Sequence, residues 1–558
     1  MRLPKLNIAD VSKKLCKPEA LVLFGILLAA LALRVWGIGF GLPYEYHVDE
    51  VQYVRQAASM GSRGLEPVWW NNPPFYKYVL LAEYGGLFAV GKIFGWYASA
   101  ADFGARHTVD PTLLYILARG TTALLGTLTV WVTYQIGKTA YSRVTGLLSA
   151  AFLAVCFLHV RDSHFAVNDI PLTFFTTMVL LAAVKIAQTG KVKWYAMAGA
   201  ALGFGFATKY SAALATLPIV VAHLFSPDFR FARGAWGWRR VGIALLVAGG
   251  AAMLGSPYFV LTPGKVIRDA YQALYLAGQY GFDGWRIDPA GGFIFYLKTL
   301  SWGLGLGLLI CASIGVAFAL IRRLPSDIIL ATFILASYVF WGRQQMYFAR
   351  FIIPLIAPLL VLAAALVEKI AQKLVPVSGK TNLVTGIIAA LLMLQPLAWS
   401  LRLDYLWTQT DTRTEARQWI EQHLPADARI AVDWRTHAPP LSTEDQPAVA
   451  LRHEYNVLIV GSAGLAEHPL TWYREQGFDY LITSSFIYNI PLLDAKKDAA
   501  RNAFYASLDQ ELTLVQTFWP NTTQTEPAFI FDEVVGPAVS LWQRERPGPV
   551  LKIYRVTP

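Results

Sequence analysis

Charged residues are scarce in this chain. Lys, Arg, Asp and Glu make up 15% of its 558 residues, against 55% hydrophobic, and a water-soluble protein of that length carries more charge on its surface. Cysteine is scarcer still. Cys16, Cys156 and Cys311 lie in the leader or in apolar runs, and none falls in the long C-terminal stretch, which excludes a disulfide framework there. A Gly-rich phosphate loop is also lacking. The only short candidate, GSAG at 461–464, does not make a nucleotide site, so chemistry driven by ATP is not indicated. There is no internal repeat and no low-complexity tract.

What is there is long apolar sequence. Runs near 20–40, 113–134, 144–158, 170–187, 194–207, 211–225, 241–260, 293–321, 328–341, 351–367 and 383–399 are each as long as a bilayer crossing or nearly so. They predict a polytopic α-helical membrane protein of about 11 transmembrane helices. The two short runs around Lys209 can also be read as one bent helix. The basic leader (Arg2, Lys5, Lys13, Lys14, Lys17) before a first run too long for a signal h-region predicts a retained helix with a cytoplasmic N-terminus. On that layout every inside loop is short and basic. This accounts for the net charge of +11 without nucleic acid.

The chain divides at about residue 401. Residues 1–401 form the membrane module, with a long outer first loop at about 41–112. Within it, DEVQYVRQAASM predicts a short helix, and VLLAEYGGLFAVGKIFG a helix lying in the membrane interface. Residues 402–558 change character. DTRTEARQWIEQHLPADARI predicts a helix capped by Thr412. The runs RIAVD, NVLIVGS, FDYLITSS, LTLVQTF and VLKIYRV then alternate with helical stretches, which predicts an extracytoplasmic α/β domain of ordinary size.

The outer face gathers unusual residues. Asp49 and Glu50 follow the first apolar run within about ten positions, and Asp169 stands at the outer end of another. Each is readable as a helix cap. Together, at one membrane face, they suggest a shared cleft, because an ionisable group at membrane depth is a functional candidate. Lys209, Arg343, Arg350, Arg268 and Arg286 face the same side. Each alone can snorkel to lipid headgroups. As a set they can hold an anionic phosphate. Carboxylates that accept a proton beside cations that hold phosphate are what transfer from a lipid phosphate to a hydroxyl requires.

At these positions the chain resembles the GT-C membrane glycosyltransferases, most nearly the protein O-mannosyltransferases and the bacterial lipid A aminoarabinose transferases. LALRVWGIGFGLPYEYHVDEVQYVRQA resembles their first helix and acidic loop motif, and NNPPFYKYVLL their Pro-Pro-aromatic segment. RDSHFAVNDIPLTFF is similar to the second acidic motif, GFGFATKYSA to the segment ending in Lys, and ARFIIPLIAP to the Arg-aromatic segment. The resemblance implies a polyprenyl-phosphate sugar donor, a hydroxyl acceptor (protein, lipid A or another glycan) and inversion at the anomeric carbon. It also implies roles. Asp49 is the general base, supported by Glu50, and Asp169 is a second acid. Lys209 and Arg350, with Arg343 and Arg268, bind the donor phosphate, and Tyr53, Tyr76, His47 and His164 bind substrate. Asn72, where Lys is frequent, and Phe351, where Tyr is common, leave sugar and acceptor open.

No cofactor is required by these motifs. His47, Asp49, His164 and Asp169 make a set able to bind a divalent cation, but no compact metal motif is present. The rival from another class is a transporter or flippase of lipid-linked saccharides, which would place its ionisable residues near the midplane and show inverted repeats. A membrane sensor would leave the first-loop motif unexplained.

Overall fold

The computed structural model describes residues 18–556 except 69, 228, 230–234, 273–274, 276–289, 377, 443–450, 454 and 495–497. The basic leader and Arg286 lie outside the described residues. Among those described, seven helices are long and apolar enough to cross a membrane, or eight if one bent pair counts as a span. They include Pro18–Val35, Thr112–Ala140, Asp169–Thr189, Pro325–Gly342 and Ser378–Trp407. This is an integral membrane protein. Two expected spans form the shorter helices Arg143–Val155 and Val192–Thr208, below the ~20 residues a crossing needs. The run at 211–225 starts as a 3-10 turn, Tyr210–Ala215, and continues as Thr216–Phe225.

The apolar run at 293–321, expected as one helix, is broken. Gly292–Leu304 and Leu306–Arg322 diverge by 120°, and Gly305 between them has φ +87°, a conformation that side chains with a Cβ disfavour. The freed N–H of Leu306 donates to Gln395 Oε1 at 3.1 Å. Elsewhere small residues let helices touch. A Cβ on Gly199 or Gly203 would lie 2.2 Å from the carbonyl oxygen of Ala244 or Ala248 on Ala235–Gly255, the close backbone approach typical of membrane helix pairs. Ile356–Leu374 is buried along most of its length at the centre of the bundle.

The first loop folds into Val48–Arg63, Phe75–Ile93 and Ala100–Val109. Phe75–Ile93 buries Tyr76, Leu80 and Tyr84 and leaves Val90 and Ile93 exposed, the one-sided burial that suits a helix at a membrane surface.

Past Trp407 comes Thr412–His423, then β1 (Arg429–Val432), β2 (Asn456–Ile459), β3 (Tyr480–Ser484), β4 (Thr513–Phe518) and β5 (Leu551–Arg555). The sheet order is β2-β1-β3-β5-β4. The first three strands are parallel, and β5 runs antiparallel to β3 and β4. Ile430 lies level with Val457 on one side and Tyr480 on the other. Alternate residues feed two cores: Ile430, Ile482 and Ile553 on one face, Ala431, Leu481 and Tyr554 on the other, as the two-residue period of a strand dictates. The helix cap is Asp411, which accepts from the Arg413 N–H; Thr412, expected there, donates instead to the Pro549 carbonyl at 2.7 Å.

This domain sits on the first loop. The Arg413 guanidinium lies 3.9 Å from the Tyr46 ring centre. Tyr46 Oη shares a 2.7 Å hydrogen bond with Thr414 Oγ1.

Candidate active site

A cavity of about 450 Å³ opens where the first loop, several helix ends and the C-terminal domain meet. Its polar wall is built from residues far apart in sequence. Asp49 stands in the first turn of Val48–Arg63 but does not cap it. The cap is His47, whose Nδ1 accepts the Glu50 N–H at 3.3 Å. Asp49 is therefore free to face the cavity, with 29% of its side chain exposed. Asp169 begins Asp169–Thr189 and makes no cap either; its neighbour Asn168 donates to the Thr208 carbonyl, tying that turn to the next helix end.

Two cations complete the wall. Arg350 Nη1 lies 2.7 Å from Asp49 Oδ2, and Arg350 Nε 3.7 Å from Asp169 Oδ2. Lys209 Nζ donates to Asp169 Oδ1 at 2.6 Å. The result is one chain of alternating charge, Asp49, Arg350, Asp169, Lys209. Aromatic rings line it: Phe351 lies 4.6 Å from Lys209 Nζ, and Phe348 4.6 Å from the Arg350 guanidinium. Both cations come from breaks in helical order. Lys209 follows Val192–Thr208 at the turn, and Arg350 is the second residue of the 3-10 stretch Ala349–Leu355.

Glu50, beside Asp49 in sequence, points the other way and does not line the cavity. It forms a two-pronged ion pair with Arg119, at 2.8 and 2.7 Å, with both side chains almost fully buried. It also accepts the Ala166 N–H at 2.7 Å. Arg119 in turn donates to the carbonyls of Ile38 and Phe40. Glu50 thus ties the helix carrying Asp49 to the segment leading into Asp169.

The remaining sequence candidates divide. Tyr53 lines the cavity, and Tyr76 packs behind it with its ring tilted, ring centres 5.7 Å apart and its hydroxyl bonded to Thr122. His47 is buried against Phe165. His164 is buried between the carbonyls of Val160 and Trp36. Neither lines the cavity. The His-Asp set suggested for a divalent cation is thereby not assembled, and among the described residues no group of three metal-binding side chains occurs. Arg343 is exposed and Arg268 pairs with Asp269 at 3.0 Å. Neither reaches the cavity wall: Arg343 is exposed just past the end of Pro325–Gly342, and Arg268 is exposed on the helix Pro263–Tyr271.

The sequence reading missed what the far ends of the chain contribute. Gln52, Asn71 and Gln344 add amides to the wall, and Trp434, His437 and Val534 bring the C-terminal domain onto it. Gln52 and Asn71 stand inside the first-loop segments DEVQYVRQAASM and NNPPFYKYVLL, but no local pattern marks Trp434, His437 or Val534. Burial holds the His437 imidazole down to about 3 and that of His47 to about 3, so both are neutral where the domain meets the loop.

Residues 117–252 match the family of dolichyl-phosphate-mannose-protein mannosyltransferases. No curated protein matches the chain by sequence. Among solved structures, ArnT from Cupriavidus metallidurans in its apo state is 15% identical and superposes with a TM-score of 0.51, over 96% of this chain and 98% of that one. The Archaeoglobus fulgidus oligosaccharyltransferase in apo form is 12% identical, with a TM-score of 0.54 over 96% and 88%. The same oligosaccharyltransferase in complex with zinc and sulfate is 14% identical, with a TM-score of 0.53 over 90% and 72%. In fold the chain is similar to these GT-C membrane glycosyltransferases, and along residues 117–252 its sequence matches the mannosyltransferase family.

Proposed function

We propose that the protein is an inverting glycosyltransferase that moves a sugar from a polyprenyl-phosphate carrier to a hydroxyl acceptor on the outer face of the membrane. The observation that carries this reading is the charge chain in the cavity. Two carboxylates and two cations share one wall of the cavity. The description of the family matched at residues 117–252, which names dolichyl-phosphate-mannose, supports a polyprenyl-phosphate sugar as the donor.

In this reading Asp49 takes the proton of the acceptor hydroxyl as its oxygen attacks the anomeric carbon. The bond from that carbon to the phosphate oxygen breaks, and the carrier leaves as a monophosphate. Arg350 and Lys209 hold the phosphate and stabilise the charge it gains. The pairing of Asp49 with Arg350 sets the order of binding. An ion-paired carboxylate is a poor base. A donor phosphate entering the wall competes for the same guanidinium and releases Asp49 when the sugar is in place. Glu50 positions Asp49 through Arg119 without touching substrate. Asp169 holds both cations at the phosphate side, and Tyr53 lies against the sugar. The N-terminus is cytoplasmic, and the cavity and C-terminal domain lie outside.

The test is carrier release from a panel of polyprenyl-phosphate sugars by the full chain in lipid nanodiscs. Release by wild type and its loss in Asp49→Asn support the reading; normal release by Asp49→Asn overturns it.

A further inference from the structure

The C-terminal domain does more than roof the cavity. Its short 3-10 segment Phe531–Val534 reaches down to the turn that carries Arg350. The Asp532 carboxylate accepts the Ala349 N–H with both oxygens, at 3.1 and 3.3 Å. Ala349 is the first residue of Ala349–Leu355, so this N–H has no partner within its own turn. Asp532 is 1% exposed, and Arg161 Nη2 lies 3.7 Å away. Arg161 also pairs with Asp162 at 3.0 Å and covers the Trp302 ring. Phe531 packs on Phe348, ring centres 5.5 Å apart, and Phe348 in turn lies under the Arg350 guanidinium. The segment is braced from behind, because Glu533 Oε1 accepts the N–H groups of Ala538 and Ser540, each at 3.0 Å.

We infer that Asp532 is a positioning residue of the active site: from the C-terminal domain it fixes the turn at 349 so that Arg350 reaches both Asp49 and the donor phosphate. The proposal rests on the reading that Arg350 holds that phosphate. Its physical basis is that a buried N–H stripped of its acceptor carries the full cost of desolvation. The turn therefore shifts to find another partner, and a shift of about 1 Å is enough to spoil a catalytic placement. Asp532→Asn keeps an oxygen for the Ala349 N–H, whereas Asp532→Ala removes it.

The experiment uses the full chain in nanodiscs and reads two quantities. One is backbone hydrogen exchange over residues 346–353; the other is affinity for undecaprenyl phosphate. Asp532→Ala is expected to speed exchange in that segment and weaken the lipid phosphate about tenfold, with Asp532→Asn close to wild type in both. Arg350→Ala is the reference for the phosphate reading. Unchanged exchange in Asp532→Ala overturns the positioning role whatever the lipid does. Faster exchange with wild-type affinity also overturns it, provided Arg350→Ala binds weakly. If Arg350→Ala itself binds like wild type, the phosphate reading is what fails, and faster exchange still supports Asp532 as the residue that holds the turn. An Asp532→Asn that behaves like Asp532→Ala in both readouts shows that the hydrogen bond to Ala349 is not the cause and overturns the proposal.

Discussion

Asp49 and Arg350 are ion-paired at 2.7 Å, one from the first loop and the other from a turn deep in the second half of the chain. Asp49 is free to make this pair because His47 takes over the cap of its helix. The pair is the junction of the charge chain, and exchanging either member has opposite expected consequences.

Asp49→Asn removes the proton acceptor and also the competitor for Arg350. Turnover is expected to fall about 10²–10⁴-fold, the usual weight of a general base, while undecaprenyl phosphate binds as tightly as to wild type or more so. Arg350→Ala is expected to weaken that binding instead. Equilibrium binding beside carrier release separates the two effects. Weakened lipid binding in Asp49→Asn would contradict the competition.

The cations Lys209, Arg343 and Arg268 are expected to split sharply. Lys209→Ala should weaken the polyprenyl phosphate about tenfold, as loss of a charge-assisted contact does. Arg343→Ala and Arg268→Ala should change it by less than about twofold, since both side chains stand outside the cavity wall. Titration of all three variants in nanodiscs checks this. A large effect from Arg343 or Arg268 would mean that the phosphate sits elsewhere.

Glu50→Gln leaves the Arg119 guanidinium buried without its counter-charge. Breaking one side of a buried pair costs about 3–5 kcal/mol, so the variant should melt well below wild type. Replacing Glu50 and Arg119 together by Gln and Met should recover part of the loss. Thermal unfolding of the single and double variants in one detergent is the measurement. A Glu50→Gln protein that is stable but inactive would instead give Glu50 a direct part in the chemistry.

Acid should loosen the seam between domain and loop. His47 and His437 are held at about 3 by burial, against about 6.5 in an unfolded chain. Arg413 faces His437; Arg350, Arg119 and Arg161 work against a charge on His47, and Glu50 for it. Both folded values are depressed, so the unfolded state binds more protons between about pH 6.5 and 3. The seam is at full strength above pH 6.5 and weakens as pH falls through that window. Limited proteolysis near residues 408–412 against pH reads this directly. Replacing His437 by Phe should flatten the profile, and an unchanged profile would assign the acid response to other groups.

Much of this protein was legible in its sequence, for local reasons. Apolar runs marked the membrane helices, since the bilayer admits only helices with all backbone groups bonded or closed barrels. The five strand-like runs all became strands, because one period-two pattern is enough to feed a core on each face. Asp49, Asp169, Lys209 and Arg350 were identifiable as candidates because charge is costly at a membrane face. The break at Gly305 escaped notice within an unbroken apolar run, since hydropathy carries no dihedral information.

Other features were decided only by the tertiary structure. Asp49 and Glu50 are adjacent and chemically alike, yet one faces the cavity and the other a buried arginine. Which does which depends on the rotation of Val48–Arg63, and that is set by Arg119 and Ala166 from elsewhere in the fold. Asp532 reaches the turn at Ala349, and His437 the cavity, through docking of a whole domain, and no local spacing encodes such a contact. The sequence by itself determined which segments are apolar, which alternate, and which charges are rare enough to need a purpose. Tertiary packing decided which of those charges meet, because ion pairs form between groups that folding brings within about 4 Å, whatever their separation along the chain.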